Sequence, residues 1–214
     1  LFRSVVYPEK TNEILDNPGM GWVVLEEPNY QGHTDLGNSG NFPEASYISL
    51  STAWAQVEKT EGVYDWSEID RTINYWKGQG KKIIMRLCTD TLQLGYTQYG
   101  APKYLFDKYN IPYVNRTNWG TQIKMPDITN SIYLEKLKAF LANMAAKFND
   151  DDNVPIIELR GYGLWGEWHS GCDFADYDAR YKALTNIIDL WHNAFSENKI
   201  LAICAAYEYD NTMT

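Results

Sequence analysis

The sequence is poor in the features that define several common classes of protein. It has 3 cysteines in 214 residues, an odd number with no CxxC spacing, so it predicts neither a disulfide framework nor a zinc site. Cys88 and Cys204 end apolar segments and are predicted to be buried thiols, whereas Cys172 falls in a loop. No apolar run approaches the ~18 residues that a membrane-spanning helix needs.

Basic residues are scarce as well. The chain has 19 Lys and Arg against 28 Asp and Glu, which gives a net charge of −9. This balance disfavours DNA, RNA and anionic membrane surfaces as partners, and it is compatible with a neutral substrate. The acidic run at residues 150–153 is predicted to be a solvated loop and not a calcium site, so no metal and no cofactor is expected.

Aromatic residues, in contrast, are abundant. They make up 14 % of the chain, with 16 Tyr and 8 Trp. Their faces suit the apolar face of a sugar ring, although large cores use them as well. Trp66, Trp76 and Trp191 lie on stripes of apolar residues with helical spacing and are predicted to be core residues. Trp22 and Trp54 lie near the ends of predicted strands and are candidates for sugar contacts.

The pattern of apolar residues predicts a series of strands and helices. Strands are expected at residues 20–25, 47–54, 82–87, 154–162 and 200–207. Amphipathic helices are expected after the second, third and fourth strands, the last with an apolar stripe that begins at Tyr177 and Tyr181. A short helix at residues 102–109 interrupts a long excursion. Alternation of this kind predicts parallel β/α units. Long segments after strands and short ones after helices favour a (β/α)8 TIM barrel over a doubly wound sheet.

The number of predicted strands is small for such a barrel. A complete (β/α)8 barrel has eight units and typically ~250 residues, whereas this chain supplies about the first five units. We therefore expect residues 1–214 to be the N-terminal part of a single (β/α) barrel catalytic domain. The remainder of the barrel would come from missing sequence or from another chain.

Residues 156–169 carry the strongest functional signal. An apolar strand ends there in a glycine-rich turn, in which Glu167 lies between Trp165 and Trp168. A carboxyl group at the carboxyl end of a barrel strand can protonate a glycosidic oxygen, and an apolar surround from the two indole rings would keep it protonated. Glu167 is therefore predicted to be the general acid of a sugar-cleaving site. The other interpretation is a surface glutamate in a polar loop.

Further polar residues near strand ends have two interpretations each. His169 either orients Glu167 or binds a sugar hydroxyl, or it is an ordinary loop histidine. Asp90 follows the third predicted strand and Glu208 ends the fifth. Both are candidates for substrate contacts at the rim, and both could instead be exposed loop residues.

Three charged residues interrupt the apolar strands: Arg86, Glu158 and Arg160. Glu158 and Arg160 are two positions apart, so their side chains share a face of the strand. Because an isolated buried charge is costly, these residues are predicted to form ion pairs. The pairs are either a structural layer inside the barrel, or they also support the carboxylate at the rim from behind.

A glycine pattern in the same region raises the question of nucleotide binding. Gly161, Gly163 and Gly166 match the letters of the GxGxxG fingerprint. That fingerprint opens a helix directly after a strand, and no helix is predicted immediately after Gly166. A nucleotide site is therefore not favoured.

Residues 51–70, with the sequence STAWAQVEKTEGVYDWSEID, resemble a stretch common in clan A glycoside hydrolases. The β-galactosidase-like families of this clan show the pattern W-x-x-[VIL]-E-P-x-x-G-x-[YF]-[DN]-[WF]-x-x-[IL]-D after their second strand. Residues 78–86 look like their third strand, and residues 100–105 resemble the loop helix that follows it. The likeness extends over residues 46–170.

This resemblance implies a (β/α)8 barrel and retaining hydrolysis of a glycoside without a cofactor. The acid/base glutamate of the family ends the fourth strand, and Glu167 occupies that place here. The family has an Asn directly before this glutamate, where this chain has Gly166. The nucleophile of the family is a second Glu at the seventh strand, which these residues do not include. Residues 165–169 also look like those of secreted bacterial glycosidase-like proteins, which implies a secreted, periplasmic or cell-surface location.

The predicted function is thus that of a retaining glycosidase acting on a β-linked oligo- or polysaccharide. Two alternatives stay open. One is a carbohydrate-binding barrel protein without hydrolysis, which Gly166 and the missing nucleophile favour. The other is a barrel enzyme of a different class that acts on another neutral substrate.

Overall fold

The computed structural model describes residues 22–26, 45–90, 100–118, 120–195 and 197–204. Its strands, in chain order, are β1 Trp22–Glu26, β2 Ala45–Ala53, β3 Lys82–Cys88, β4 Tyr113–Asn118, β5 Thr121–Pro126, β6 Ile156–Arg160 and β7 Ile200–Ile203. Its α-helices are α1 Trp54–Val57, α2 Ser67–Gly78, α3 Lys103–Asp107, α4 Ser131–Phe148 and α5 Tyr177–Ala194. None of the described helices is long and apolar enough to cross a membrane.

Five of these strands form one parallel sheet in the order β1-β2-β3-β6-β7. They coincide with the five predicted strands, and the prediction of parallel β/α units is confirmed. Helices α2 and α4 and then α5 connect successive strands, which is the arrangement of a (β/α) barrel. Within the described residues β1 and β7 lie at opposite edges of the sheet, so the barrel is not closed there.

The two faces of the sheet differ in chemistry. The face toward the helices is apolar, and six of its side chains have no exposed surface: Ile48, Leu50, Ile83, Met85, Leu87 and Ile157. On the other face, strand register places Ser51 beside Arg86 and Arg86 beside Glu158. One step further along the strands, Cys88 pairs with Arg160. Arg86, Glu158 and Arg160 therefore all lie on the face that is interior in a barrel.

A β-hairpin lies inside the excursion between β3 and α4, where the sequence predicts only a short helix. The short helix is present as α3, and β4 and β5 follow it as an antiparallel pair joined at Gly120 (φ +82°). Nε of Arg116 in β4 donates a hydrogen bond to the Gly171 carbonyl at 3.1 Å. The hairpin is thus attached to the loop that follows β6.

Helix α5 buries only part of the stripe that its spacing predicts. The sequence predicts that Tyr177 and Tyr181 begin the apolar face, but they are 65 % and 64 % exposed. The buried residues are Ala183, Ile187 and Trp191, at steps of four. The three tryptophans predicted to be core residues, Trp66, Trp76 and Trp191, are all buried.

The acidic run at residues 150–153 is a loop between α4 and β6, as predicted. Nζ of Lys199 donates to the carbonyl oxygens of Asp151 and Val154 at 2.6 and 2.9 Å. Lys82 donates to the carbonyl of Asp152 at 2.8 Å. The ammonium groups of Lys82 and Lys199 therefore donate hydrogen bonds to main-chain oxygens of this loop.

The stretch after β2 is organised by a buried carboxylate. Glu58 is 3 % exposed and accepts hydrogen bonds from Trp54 Nε1 at 2.6 Å, from the Gly62 amide at 2.7 Å and from the Tyr104 hydroxyl at 3.0 Å. It joins the start of α1, the following turn and helix α3. Within the stretch that carries the family resemblance, Glu58 and Trp54 thus serve the packing of the fold.

Replacing Glu58 by alanine should lower the free energy of unfolding by about 2–3 kcal/mol, because buried donors on Trp54 and Tyr104 lose their acceptor. Urea denaturation followed by tryptophan fluorescence measures the change. The matched control is Glu68→Ala on α2, whose ion pair with Arg71 is exposed and should contribute under about 0.5 kcal/mol. Equal effects of the two substitutions would contradict the structural role of Glu58.

Candidate active site

The segment after β6 is a compact turn with an unusual backbone. Gly163 and Gly166 have φ values of +82° and +66°, and the non-glycine residues Trp165 and Trp168 have φ values of +58° and +66°. Such conformations cost on the order of 1–3 kcal/mol each outside glycine and persist only where the surroundings hold them. Glu167 lies within this strained turn.

Several hydrogen bonds hold the turn. The Leu164 amide donates to the His169 carbonyl at 2.9 Å, and the Trp168 amide donates to the Tyr162 carbonyl at 3.0 Å. The indole Nε1 of Trp168 donates to the Leu159 carbonyl at 2.8 Å. Trp168 is buried, so its ring anchors the turn from below and does not flank Glu167 at the surface as the sequence predicts.

Gly163 and Gly166 are required by space as well as by φ. A Cβ atom on Gly163 would lie 2.0 Å from the His169 carbonyl oxygen, and one on Gly166 would lie 2.5 Å from Cβ of Arg160. The glycine pattern therefore serves a tight turn, and the next α-helix starts only at Tyr177. The same contact excludes from this backbone the Asn that the clan A families have before their acid/base glutamate.

Glu167 belongs to a group of four charged side chains, here called the charged quartet: Arg86, Glu158, Arg160 and Glu167. Oε1 of Glu167 lies 3.1 Å from Arg160 Nη1 and 4.0 Å from Arg86 Nη2. Glu158 joins the same two arginines, at 3.0 Å from Arg86 Nε and 2.5 Å from Arg160 Nη2. The ion pairs predicted among the strand charges are thus present, and they also contact the Glu167 carboxyl group at the strand end.

The surroundings of Glu167 are polar and partly open. Its side chain is 26 % exposed, and its second oxygen lies 3.8 Å from Nε2 of His169. The ring of Trp165, which is half-buried, packs edge-on against the imidazole of His169 at 6.1 Å between centroids. The prediction of an apolar pocket around Glu167 is therefore wrong. Glu167 has guanidinium groups on one side, and His169 and open surface on the other.

Asp90 lies apart from this open surface. It is 0 % exposed, and its Oδ2 accepts a hydrogen bond from the Gly163 amide at 2.8 Å. Burial raises the pKa of Asp90 from 3.8 to about 7, although the Gly163 hydrogen bond acts in the opposite direction. The folded protein therefore holds this proton up to higher pH than the unfolded chain does, and the contribution of Asp90 to stability falls as the pH rises from about 4 to 7. The prediction of a substrate contact is corrected, because a fully buried group cannot touch a ligand.

The remaining predicted residues are dispersed. Trp54 is fully buried and its indole donates to Glu58, because α1 begins at this residue and turns the ring into the core. It is therefore a core residue and not a sugar contact. Trp22 is 78 % exposed on the edge strand β1. Glu208 lies outside the described residues.

Cys88 is a member of the site that the sequence does not single out. It ends β3 beside Arg160, and its Sγ lies 3.5 Å from the Trp165 carbonyl oxygen as a donor. Burial raises the pKa of this thiol to about 12, so it is neutral. The sequence does contain a signal for this position: Cys88 follows Arg86 by two residues, and alternate residues of a strand share a face.

Comparison with known proteins agrees with this architecture. No protein-family model and no curated protein matches the chain. Among solved structures, β-galactosidase from the psychrophilic Marinomonas ef1 is 18 % identical with a TM-score of 0.52, over 69 % of this chain and 22 % of that one. Endo-glycoceramidase II from Rhodococcus sp. is 16 % identical with a TM-score of 0.56, over 78 % of this chain and 42 % of that one. Its ganglioside GM3 complex gives 15 % identity and the same TM-score.

These matches establish the fold. The chain has the (β/α) architecture of the TIM-barrel glycosidases and resembles clan A glycoside hydrolases, as the motif at residues 51–70 predicts. It spans 22 % of the length of the β-galactosidase and 42 % of the length of the endo-glycoceramidase.

Proposed function

We propose that the protein is a glycoside hydrolase that cleaves β-linked O-glycosidic bonds by a retaining mechanism, with Glu167 as the acid/base residue. The observation that carries this proposal is the position of Glu167. It stands just beyond the carboxyl end of β6, the fourth strand of the parallel sheet, partly exposed and fixed by the charged quartet. In (β/α) barrels the residues that perform chemistry lie at this end of the strands.

The geometry supports a role for three members of the quartet: Glu167, Arg160 and Arg86. Glu167 in its acid form would transfer a proton to the glycosidic oxygen as the bond to the anomeric carbon breaks. A second carboxylate, ~5–5.5 Å away, would attack that carbon and form the glycosyl-enzyme. Glu167 would then accept a proton from a water molecule. The oxygen of that water attacks the anomeric carbon, and the bond to the second carboxylate breaks, which releases the sugar. Arg160 and Arg86, which contact Oε1 of Glu167, would hold its carboxyl group in place.

The charge of the site favours a neutral sugar as the substrate. Within the quartet, the two guanidinium groups of Arg86 and Arg160 are matched by the two carboxylates of Glu158 and Glu167. With Glu167 ionised, the quartet therefore has no surplus positive charge to bind a uronate or a sulfated sugar. The net charge of −9 acts in the same direction.

A panel of neutral aryl β-glycosides and oligosaccharide fragments tests the proposal in the full-length protein. We expect release of the aglycone, and ¹H NMR of the first product should show the β-anomer before mutarotation. Release of the α-anomer would contradict the retaining mechanism. The absence of turnover on every substrate of the panel would contradict hydrolysis.

A carbohydrate-binding protein without hydrolysis is the second candidate. The contact between Gly166 and Arg160 favours it, because this backbone has no room for the amide side chain that precedes the family's acid/base residue. Under this alternative, calorimetry would detect binding of an oligosaccharide that the wild-type protein leaves intact.

A further inference from the structure

Asp90 connects the ends of two neighbouring strands. It follows β3 by two residues, and Oδ2 of its carboxyl group accepts a hydrogen bond from the Gly163 amide at 2.8 Å across the sheet. Gly163 is the first left-handed residue of the turn that carries Glu167. The carboxylate of one strand end therefore holds the first backbone amide of the turn on the next.

The turn needs such a contact because its conformation is strained. Trp165 and Trp168 both have positive φ, and the local hydrogen bonds of Leu164 and Trp168 connect the turn only to itself and to its own strand. On the side of β3, three described residues contact the turn: Arg86, whose Nη2 lies 4.0 Å from Oε1 of Glu167, Cys88, a weak thiol donor at 3.5 Å, and Asp90 just after the strand. Of these, Asp90 makes the shortest contact, and it binds the backbone of the turn at Gly163.

The surroundings of Asp90 make burial of its carboxyl group unfavourable for the free energy of folding. It is fully buried, and Oδ1 has no hydrogen-bond partner among the described residues. The titratable groups near it are the buried thiols of Cys88 and Cys172 and the buried phenol of Tyr133, and burial raises the pKa of each. None of them is a cation that could stabilise a carboxylate. The one hydrogen bond that its carboxyl group makes among the described residues, to the Gly163 amide, indicates that Asp90 positions the turn.

We propose that Asp90 is a positioning residue for Glu167, acting through the Gly163 amide and the backbone of the turn. This proposal rests on the proposed catalytic role of Glu167. Loss of the acceptor would free the first residue of the turn, and Glu167 would shift relative to Arg160 and the glycosidic oxygen. A misplacement of about 1 Å can reduce turnover on the order of 10²-fold.

The test compares Asp90→Ala with Asp90→Asn in the full-length enzyme. Asp90→Ala removes the acceptor, and we expect kcat to fall about 30–100-fold while KM stays within about two-fold. Asp90→Asn keeps an oxygen that can accept the Gly163 amide, so its kcat should stay within about three-fold of the wild type. Should Asp90→Ala fail to fold, Asp90→Leu fills the space without an acceptor and takes its place.

A second measurement does not depend on catalysis. Hydrogen exchange of a peptide that covers residues 161–169 should accelerate at least about ten-fold in Asp90→Ala and match the wild type in Asp90→Asn. The control is Asp65→Ala, which removes an exposed carboxylate that accepts the Ser67 amide, and it should change neither quantity. Unchanged exchange in Asp90→Ala, or equal loss of kcat in the alanine and asparagine variants, would overturn the proposal. If the protein proves inactive, the proposed function fails, and the exchange data still decide whether Asp90 holds the turn.

Discussion

Glu167→Gln should lower kcat about 10³-fold on substrates with a poor leaving group, with KM nearly unchanged. Proton transfer by a positioned carboxyl group contributes on the order of 10²–10⁴-fold to such reactions. The glutamine amide keeps the shape of the side chain, and its oxygen can still accept a hydrogen bond from Arg160 Nη1, which lies 3.1 Å from Oε1 in the native protein. It cannot donate a proton to the leaving oxygen, so the chemistry is lost while the fold is kept.

The leaving group provides a test of the specific role. A dinitrophenyl glycoside needs no protonation to depart, so Glu167→Gln should form its glycosyl-enzyme at a rate near that of the wild type. Hydrolysis of that intermediate still needs a base, so the variant should show a burst followed by slow turnover. Glu68→Gln, at an exposed ion pair on α2, is the control and should behave as the wild type. Equal losses on activated and unactivated substrates would be inconsistent with an acid/base role.

The sequence predicts the architecture because the signals for it are local. Runs of apolar residues mark the strands, and helical spacing marks most of the buried helix faces. The face of Arg86, Glu158 and Arg160 follows from alternation along each strand. The pairing of Arg86 with Glu158 depends on strand register, which only the structure supplies.

The details of the candidate site are less predictable because they depend on backbone conformation and on distant contacts. Trp168 is adjacent to Glu167 in sequence, but its positive φ and its bond to the Leu159 carbonyl direct the ring into the core. Asp90 contacts Gly163, which is 73 positions away, and no local pattern reports this. Trp54 differs from the prediction because α1 begins immediately at the end of β2.

Arg160→Met should be among the most destabilising substitutions on the interior face of the sheet. The guanidinium group is buried and contacts Glu158, Glu167 and the Trp165 carbonyl. Removing one partner of a buried ion pair typically costs about 3–5 kcal/mol, because the remaining charge has lost its compensation. Glu167 is 26 % exposed and can be partly rehydrated, so we expect a loss of about 3 kcal/mol in the free energy of unfolding.

A double-mutant cycle separates this charge effect from lost packing. If the loss arises from the uncompensated carboxylate, adding Glu158→Gln to Arg160→Met should recover at least about 1 kcal/mol, because the buried charge is then removed as well. Arg71→Met, at an exposed pair on α2, is the matched arginine control and should cost under about 0.5 kcal/mol. Additive effects of the two interior substitutions would mean that Arg160 and Glu158 are not coupled, and that the loss comes from the packing of the Arg160 side chain or from its contacts with Glu167 and the Trp165 carbonyl.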